Sequence, residues 1–85
     1  MIDTIENIEV IGGANCRFCV MAKTLLESRD LEYKYRDVRE EPEAMAKLKE
    51  LGLRTIPQIW VDGKHIGDYT ELHSFLQDIK HANTK

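Results

Sequence analysis

The sequence predicts a small α/β protein in which a mixed four-stranded sheet, ordered βαβ and then ββα, is flanked by three helices. Three observations carry this expectation. An alternating apolar segment from Ile8 stops at Gly12-Gly13 and is followed by a helix-period stripe. Asp62-Gly63 separates two short strand-like runs. A last stripe at Leu72, Phe75, Leu76 and Ile79 has the i, i+3, i+4, i+7 spacing of an amphipathic helix. With 85 residues, a single domain spanning 1–85 is expected, because a chain this short buries only about 64% of its unfolded surface.

Each element has its own signal. Ile8 and Val10 alternate around Glu9, and Ile11 extends the run into a first strand. Met21, Ala22, Leu25 and Leu26 then recur at three- and four-residue intervals, with Asn15 as the expected N-cap of a helix opening at Cys16. Tyr33, Tyr35 and Asp37 alternate with Glu32, Lys34 and Arg36, an aromatic period of two that reads as a second strand, parallel to the first through a right-handed crossover. Pro42 and the acidic Glu40, Glu41 and Glu43 mark the start of a second helix, whose expected inward residues are Met45, Leu48 and Leu51 and whose stop is Gly52. Gln58 to Val61 and Lys64 to Ile66 should pair across a type I′ turn at Asp62-Gly63. The tail from His81 is expected to fray, and no repeat, low-complexity segment or linker is present.

Composition removes several function classes. Hydrophobic residues at 42% and charged at 32% are those of an ordinary globular chain. The longest apolar run, Phe18 to Ala22, is far too short to span a membrane, and no basic-then-apolar leader is seen, so a soluble cytoplasmic protein is expected. A net charge of −3, spread along the chain without a basic stripe, excludes nucleic acid as the natural partner. Two cysteines are too few for a secreted disulfide framework, and they lie three apart as Cys16-Arg17-Phe18-Cys19.

That spacing carries the chemistry. A sulfur at the start of a helix meets unpaired backbone N–H groups and the positive end of the helix dipole, both of which favour thiolate. The free cysteine value of about 8.5 falls in such settings, and Arg17 beside the sulfur acts in the same direction. Cys16 is therefore the expected nucleophile. Cys19, one turn on and on the same face, is placed to attack a mixed disulfide on Cys16 and expel the partner thiol. Two inert buried cysteines remain the competing reading, disfavoured by the surrounding βαβ pattern. A structural zinc site needs four ligands, and His65, His73 and His81 offer no finger-like pairing, so no metal is expected and the histidines read as surface residues.

Three blocks give the chain a resemblance to the glutaredoxins of the small, two-cysteine bacterial or phage kind. They are Cys16-Arg17-Phe18-Cys19 with Ala22-Lys23 and Leu25-Leu26, then Thr55-Ile56-Pro57-Gln58-Ile59-Trp60-Val61-Asp62-Gly63, then His65-Ile66-Gly67-Asp68-Tyr69-Thr70-Glu71-Leu72. Tyr33 to Arg39 adds a weaker match. The resemblance implies a thioredoxin-like fold and a redox-active disulfide between Cys16 and Cys19. It implies a cis bond at Pro57 that presents the Ile56 backbone to the cysteinyl part of glutathione, with Thr55 beside it. The competing reading of Pro57 is the opening of an edge strand. Phe18 would border the glutathione groove, and Tyr69, Thr70 and Glu71 would meet its γ-glutamyl end. Asp68-x-x-Glu71 also reads as a capping box, which would give Glu71 a structural role, and both can hold.

The chain departs from the family pattern at Arg17 for the usual proline, Gly13 for a basic residue three positions before the first cysteine, and Asp68 for a second glycine. Losing the base and gaining a carboxylate implies weaker glutathione affinity, with the charge of Arg17 as the compensating alternative. The leading expectation is a glutathione-dependent thiol–disulfide oxidoreductase, acting as a monomer. Glutathione is its co-substrate, disulfide-bearing proteins are its partners, and glutathione reductase recharges the pool. The family further implies electron supply to ribonucleotide reductase. Alternative readings are a similar redoxin recharged by thioredoxin reductase, and a [2Fe–2S] carrier ligated by Cys16 from two subunits with two glutathiones.

Overall fold

In the computed structural model, the structure describes residues 5–83, with side chains from 5 to 78. The elements run β1 (Ile8–Gly12), α1 (Arg17–Ser28), β2 (Lys34–Asp37), α2 (Pro42–Glu50), β3 (Gln58–Val61), β4 (Lys64–Gly67) and α3 (Tyr69–Asn83). They form one sheet in the order β2-β1-β3-β4. β1 and β2 are parallel, with Val10 opposite Tyr35, whereas β3 runs antiparallel to both β1 and β4. β3 is thus an interior strand beginning one residue after Pro57, which removes the edge-strand reading of that proline.

Strand alternation sorts the core into two faces. Ile8, Val10, Ile59 and Val61 point to the side where α1 and α3 supply Ala22, Leu26, Leu72 and Leu76. Ile11 and Trp60 point the other way, onto Ala44 and Leu48 of α2. Glu9 shares that second face, where Arg36 and Lys47 pair with it at 2.9 and 3.3 Å. Burial of Glu9 alone would raise its pKa, but the bond from Arg36 and the charge of Lys47 outweigh it and leave the carboxyl below its ordinary value.

The turns close as their sequences require. Asp62 (φ 50°) and Gly63 (φ 85°) both take positive φ, the signature of a type I′ hairpin, and Asp62 Oδ1 accepts the N–H groups of Glu6 and Asn7. Gly52 (φ 73°) ends α2 with Leu53 N–H on the Leu48 carbonyl and its own N–H on that of Lys49, a Schellman closure.

Two expectations for the helices are corrected. Met45 and Leu51 face solvent, 38% and 52% exposed, while Ala44 is fully buried. The pair spaced i, i+4, Ala44 and Leu48, faces Ile11 and Trp60, and the small alanine lets the helix lie close to the sheet. The tail expected to fray from His81 is helical as far as Asn83, and residues 84–85 lie outside the described ones. The inward placement expected of Ile79 lies outside the described side chains.

Candidate active site

β1 delivers the chain to the cysteines through two glycines, of which Gly12 is needed for space and Gly13 sits in a tight fit. A Cβ on Gly12 would fall 2.5 Å from the Tyr35 hydroxyl oxygen and 2.9 Å from Cys19 Sγ, and one on Gly13 would lie 3.1 Å from Ile56 Cδ1. Tyr35, in the strand beside β1, donates its hydroxyl to the Gly13 carbonyl at 2.8 Å and so ties down the turn. Its pKa is raised, by burial first and by the charge of Asp37 second, which keeps the phenol neutral beneath the cysteines. Lys23 Nζ sits 4.2 Å from the centre of the same ring.

The N-cap of α1 is Cys16, which corrects the expectation for Asn15. Asn15 has φ 54°, a left-handed turn that asparagine tolerates, and the chain only becomes extended at Cys16 (φ −124°, ψ 107°) as an N-cap must be. The capping atom is the sulfur: Cys16 Sγ accepts the Cys19 N–H at 3.1 Å. Its carbonyl accepts the Val20 N–H, the first bond of the helix. Cys19 is fully buried and joined to Cys16 in a disulfide, with Cα atoms 5.2 Å apart. Cys16 is only half-buried, so Cys19 is reached through Cys16. Arg17 is exposed and forms no ion pair among the described residues.

Beside the disulfide opens a cleft of about 300 Å³, lined by Phe18, Thr55, Ile56, Pro57, Asp68, Tyr69 and Thr70. Six of the seven residues expected at a ligand groove are in this lining, brought together from α1, the α2–β3 loop and the start of α3. The Ile56–Pro57 bond is cis, and the Ile56 carbonyl oxygen lies 3.9 Å from Cys16 Sγ. The rings of Phe18 and Tyr69, both in the lining, lie with their centroids 5.9 Å apart.

Glu71 is the residue the cleft leaves out, and Asp68 stands in its place. The Glu71 side chain packs instead on Gly67, where an added Cβ would come within 2.5 Å of its Cγ. Asp68 caps α3, with Oδ1 accepting the Glu71 N–H at 3.3 Å and its carbonyl accepting that of Leu72 at 2.9 Å. The expected capping box is therefore half made: no return bond from the Glu71 carboxylate is found among the described residues. The N–H groups of Tyr69 and Thr70, at the open end of the helix, have no protein partner among the described residues, and both residues line the cleft.

Two further residues shape the site without having been singled out. Tyr35 is one, through its bond to Gly13. Gln58 is the other: it is 5% exposed, and its Nε2 donates to the Thr55 carbonyl at 3.0 Å and to the Thr55 hydroxyl at 3.1 Å. The Thr-x-Pro-Gln spacing was on view in the sequence, but nothing in it says that the glutamine turns back onto the threonine.

The family model described as Glutaredoxin matches residues 8–66. The chain is 34% identical over 77 residues to Glutaredoxin 1 of Escherichia coli K12, covering 81% of this chain and 91% of that one. The solved structure of reduced Escherichia coli glutaredoxin superposes with a TM-score of 0.68 at 31% identity, over 86% of this chain and 95% of the other. A buckwheat glutaredoxin–glutathione complex superposes with a TM-score of 0.73 at 25% identity, over 84% of this chain and 68% of the other. The four-stranded mixed sheet with three helices is the thioredoxin-like architecture that these neighbours share.

Proposed function

The chain belongs to the glutaredoxin family, whose activity is thiol–disulfide oxidoreduction, and on that premise we propose that it acts on glutathione mixed disulfides bound in the cleft beside Cys16. The observation that carries the proposal is the proximity of Cys16 Sγ to the Ile56 backbone, which itself lines the cleft. A glutathione laid along Thr55 to Pro57 would bring its sulfur to Cys16, and the free N–H groups at the start of α3 suit its γ-glutamyl carboxylate. The glutathione complex of the buckwheat relative supports the same assignment.

The chemistry balances with two glutathiones or with one dithiol. Cys16 thiolate attacks the glutathione sulfur of a mixed disulfide, forming Cys16–glutathione and releasing the partner thiolate, which takes a proton from solvent. A second glutathione thiolate then attacks that glutathione sulfur, giving oxidised glutathione and free Cys16. For a protein disulfide, Cys19 instead attacks the Cys16 sulfur, expels the partner thiol and leaves the Cys16–Cys19 disulfide. The Cys19 N–H on Cys16 Sγ stabilises the thiolate each time it is the leaving group.

The same proposal has the protein work as a monomer in the cytoplasm, where glutathione is kept reduced. It also takes electron supply to ribonucleotide reductase as a task, with family membership as its support. The test is turnover of a glutathionylated peptide, coupled to glutathione reductase. Cys16→Ser should lower the rate at least ~100-fold, because the nucleophile is gone. Cys19→Ser should keep most of the activity on the mixed disulfide and lose reduction of protein disulfides. Turnover with thioredoxin reductase and none with glutathione would overturn the glutathione assignment.

A further inference from the structure

Gln58 is the buried polar side chain of β3, and every hydrogen-bonding group it has is committed. The Thr55 carbonyl can only accept, so the Gln58 atom 3.0 Å from it must be the amide nitrogen. Its second N–H reaches the Thr55 hydroxyl. The amide oxygen then faces His65 Nε2 at 2.7 Å, so that ring nitrogen must carry a proton. His65 is held for this by β4, where it pairs with Trp60 across the ladder and packs on its ring at 4.9 Å. A continuous chain of bonds thus runs from an exposed histidine through a buried glutamine to the backbone of the cleft.

We propose that Gln58 is a positioning residue for substrate, fixing the Thr55–Pro57 segment opposite Cys16, with the Nε2–H of His65 setting its orientation. Without Gln58, the Thr55 carbonyl and hydroxyl lose their internal donors and the loop can turn them toward water. The Ile56 carbonyl, one residue on and 3.9 Å from Cys16 Sγ, turns with it. Neither Gln58 nor His65 lines the cleft, so their effect passes through Thr55 and Ile56. This rests on the cleft being the glutathione site and deepens that assignment.

The experiment compares wild type, Gln58→Met and His65→Phe. Methionine matches the length of glutamine without donors, and phenylalanine keeps the ring on Trp60 without the N–H. Gln58→Met should raise KM for a glutathionylated peptide ~10-fold with kcat within about twofold, and His65→Phe should raise it ~3-fold in the same sense. Nitrogen-15 spectra of the wild type should show His65 protonated at Nε2. An unchanged KM in folded Gln58→Met, a loss confined to kcat, or a neutral His65 protonated only at Nδ1 overturns the proposal. Should Gln58→Met fail to fold, the His65→Phe kinetics and the tautomer decide it. Should wild type show no turnover with glutathione, the functional assignment fails by itself. Amide spectra of the substrate-free protein then settle the positioning role: Gln58→Met must shift Thr55, Ile56 and Cys16, and changes confined to β3 and β4 overturn it.

Discussion

The floor beneath the cysteines and the rim of the cleft are built on opposite principles. On the floor, Gly12, Cys19 and Tyr35 leave no room for a single methyl group, and Cys19 has no exposed surface. On the rim, Phe18 is 51% exposed and Thr55 and Thr70 face solvent around an open volume of about 300 Å³. The reacting sulfurs sit at the boundary. Bond exchange between two fixed cysteines needs a support that does not yield, whereas recognition of a flexible ligand, such as the glutathione proposed here, needs surface that is free to be covered. Changes to the floor should therefore cost stability and rate together, and changes to the rim should alter KM alone.

Gly12→Ala is the strongest challenge to the floor. The added methyl would overlap the Tyr35 hydroxyl and Cys19 Sγ, and neither yields easily, since one is bonded to Gly13 and the other is tied to Cys16. Overpacking of this kind costs about 1–3 kcal/mol. Urea unfolding should show that loss, and turnover should fall with it. A variant as stable as wild type would mean that the floor is soft and the contrast with the rim is wrong.

Tyr35→Phe removes one hydrogen bond and keeps the shape, so a smaller loss, about 1 kcal/mol, is expected. The same tyrosine predicts an alkaline limit. Its folded pKa lies above the ordinary 10.0, because burial first and Asp37 second disfavour the phenolate. The unfolded chain then gives up its proton before the folded one does. The contribution of Tyr35 to stability is whole below about pH 10 and is lost as pH rises through the folded value. Unfolding free energies measured across that range should fall more steeply for wild type than for Tyr35→Phe. Parallel curves would remove Tyr35 from the floor.

How much of this was legible in the sequence follows the range of the contacts. The β1 run, the Asp62-Gly63 hairpin and the α3 stripe from Leu72 to Leu76 are local patterns, and each sits where its spacing puts it. The cysteine pair and the Thr-Ile-Pro block are brought together at one cleft, as their resemblance to a single site led one to expect. What stayed hidden depends on residues distant in the chain or on unusual cap chemistry. Tyr35 meets Gly13 across 22 positions, and no local signal announces it. Asn15 looked like the cap because asparagine usually is one, whereas here a sulfur does the work. In α2 both Met45 and Ala44 stand at a helical spacing from Leu48, and size favoured the methionine while the close approach to the sheet selects the alanine.

Phe18→Ala tests the rim from the other side. The ring is half in solvent and its main partner is Tyr69, so its loss removes little buried area, and alanine is the better helix former. Stability should stay within about 0.5 kcal/mol of wild type. KM for a glutathionylated peptide should rise a few-fold as one wall of the cleft is lost. A large fall in stability would show that the rim shares the packing of the floor.

The smallest effect is expected at Asp68, where rim and structure overlap in one side chain. Its Oδ1 caps α3 through the Glu71 N–H, and the same carboxylate puts a negative charge on a cleft proposed to hold an anionic ligand. Asparagine caps about as well as aspartate, so Asp68→Asn separates the two roles. Stability should be unchanged within a few tenths of a kcal/mol, while KM for glutathione should fall about twofold at low salt as the repulsion disappears. Asp68→Ala should lower KM likewise but lose about 1 kcal/mol with the cap. If Asp68→Asn leaves KM unchanged at every ionic strength, the charge at this position has no bearing on the ligand, and the aspartate is there for the helix alone.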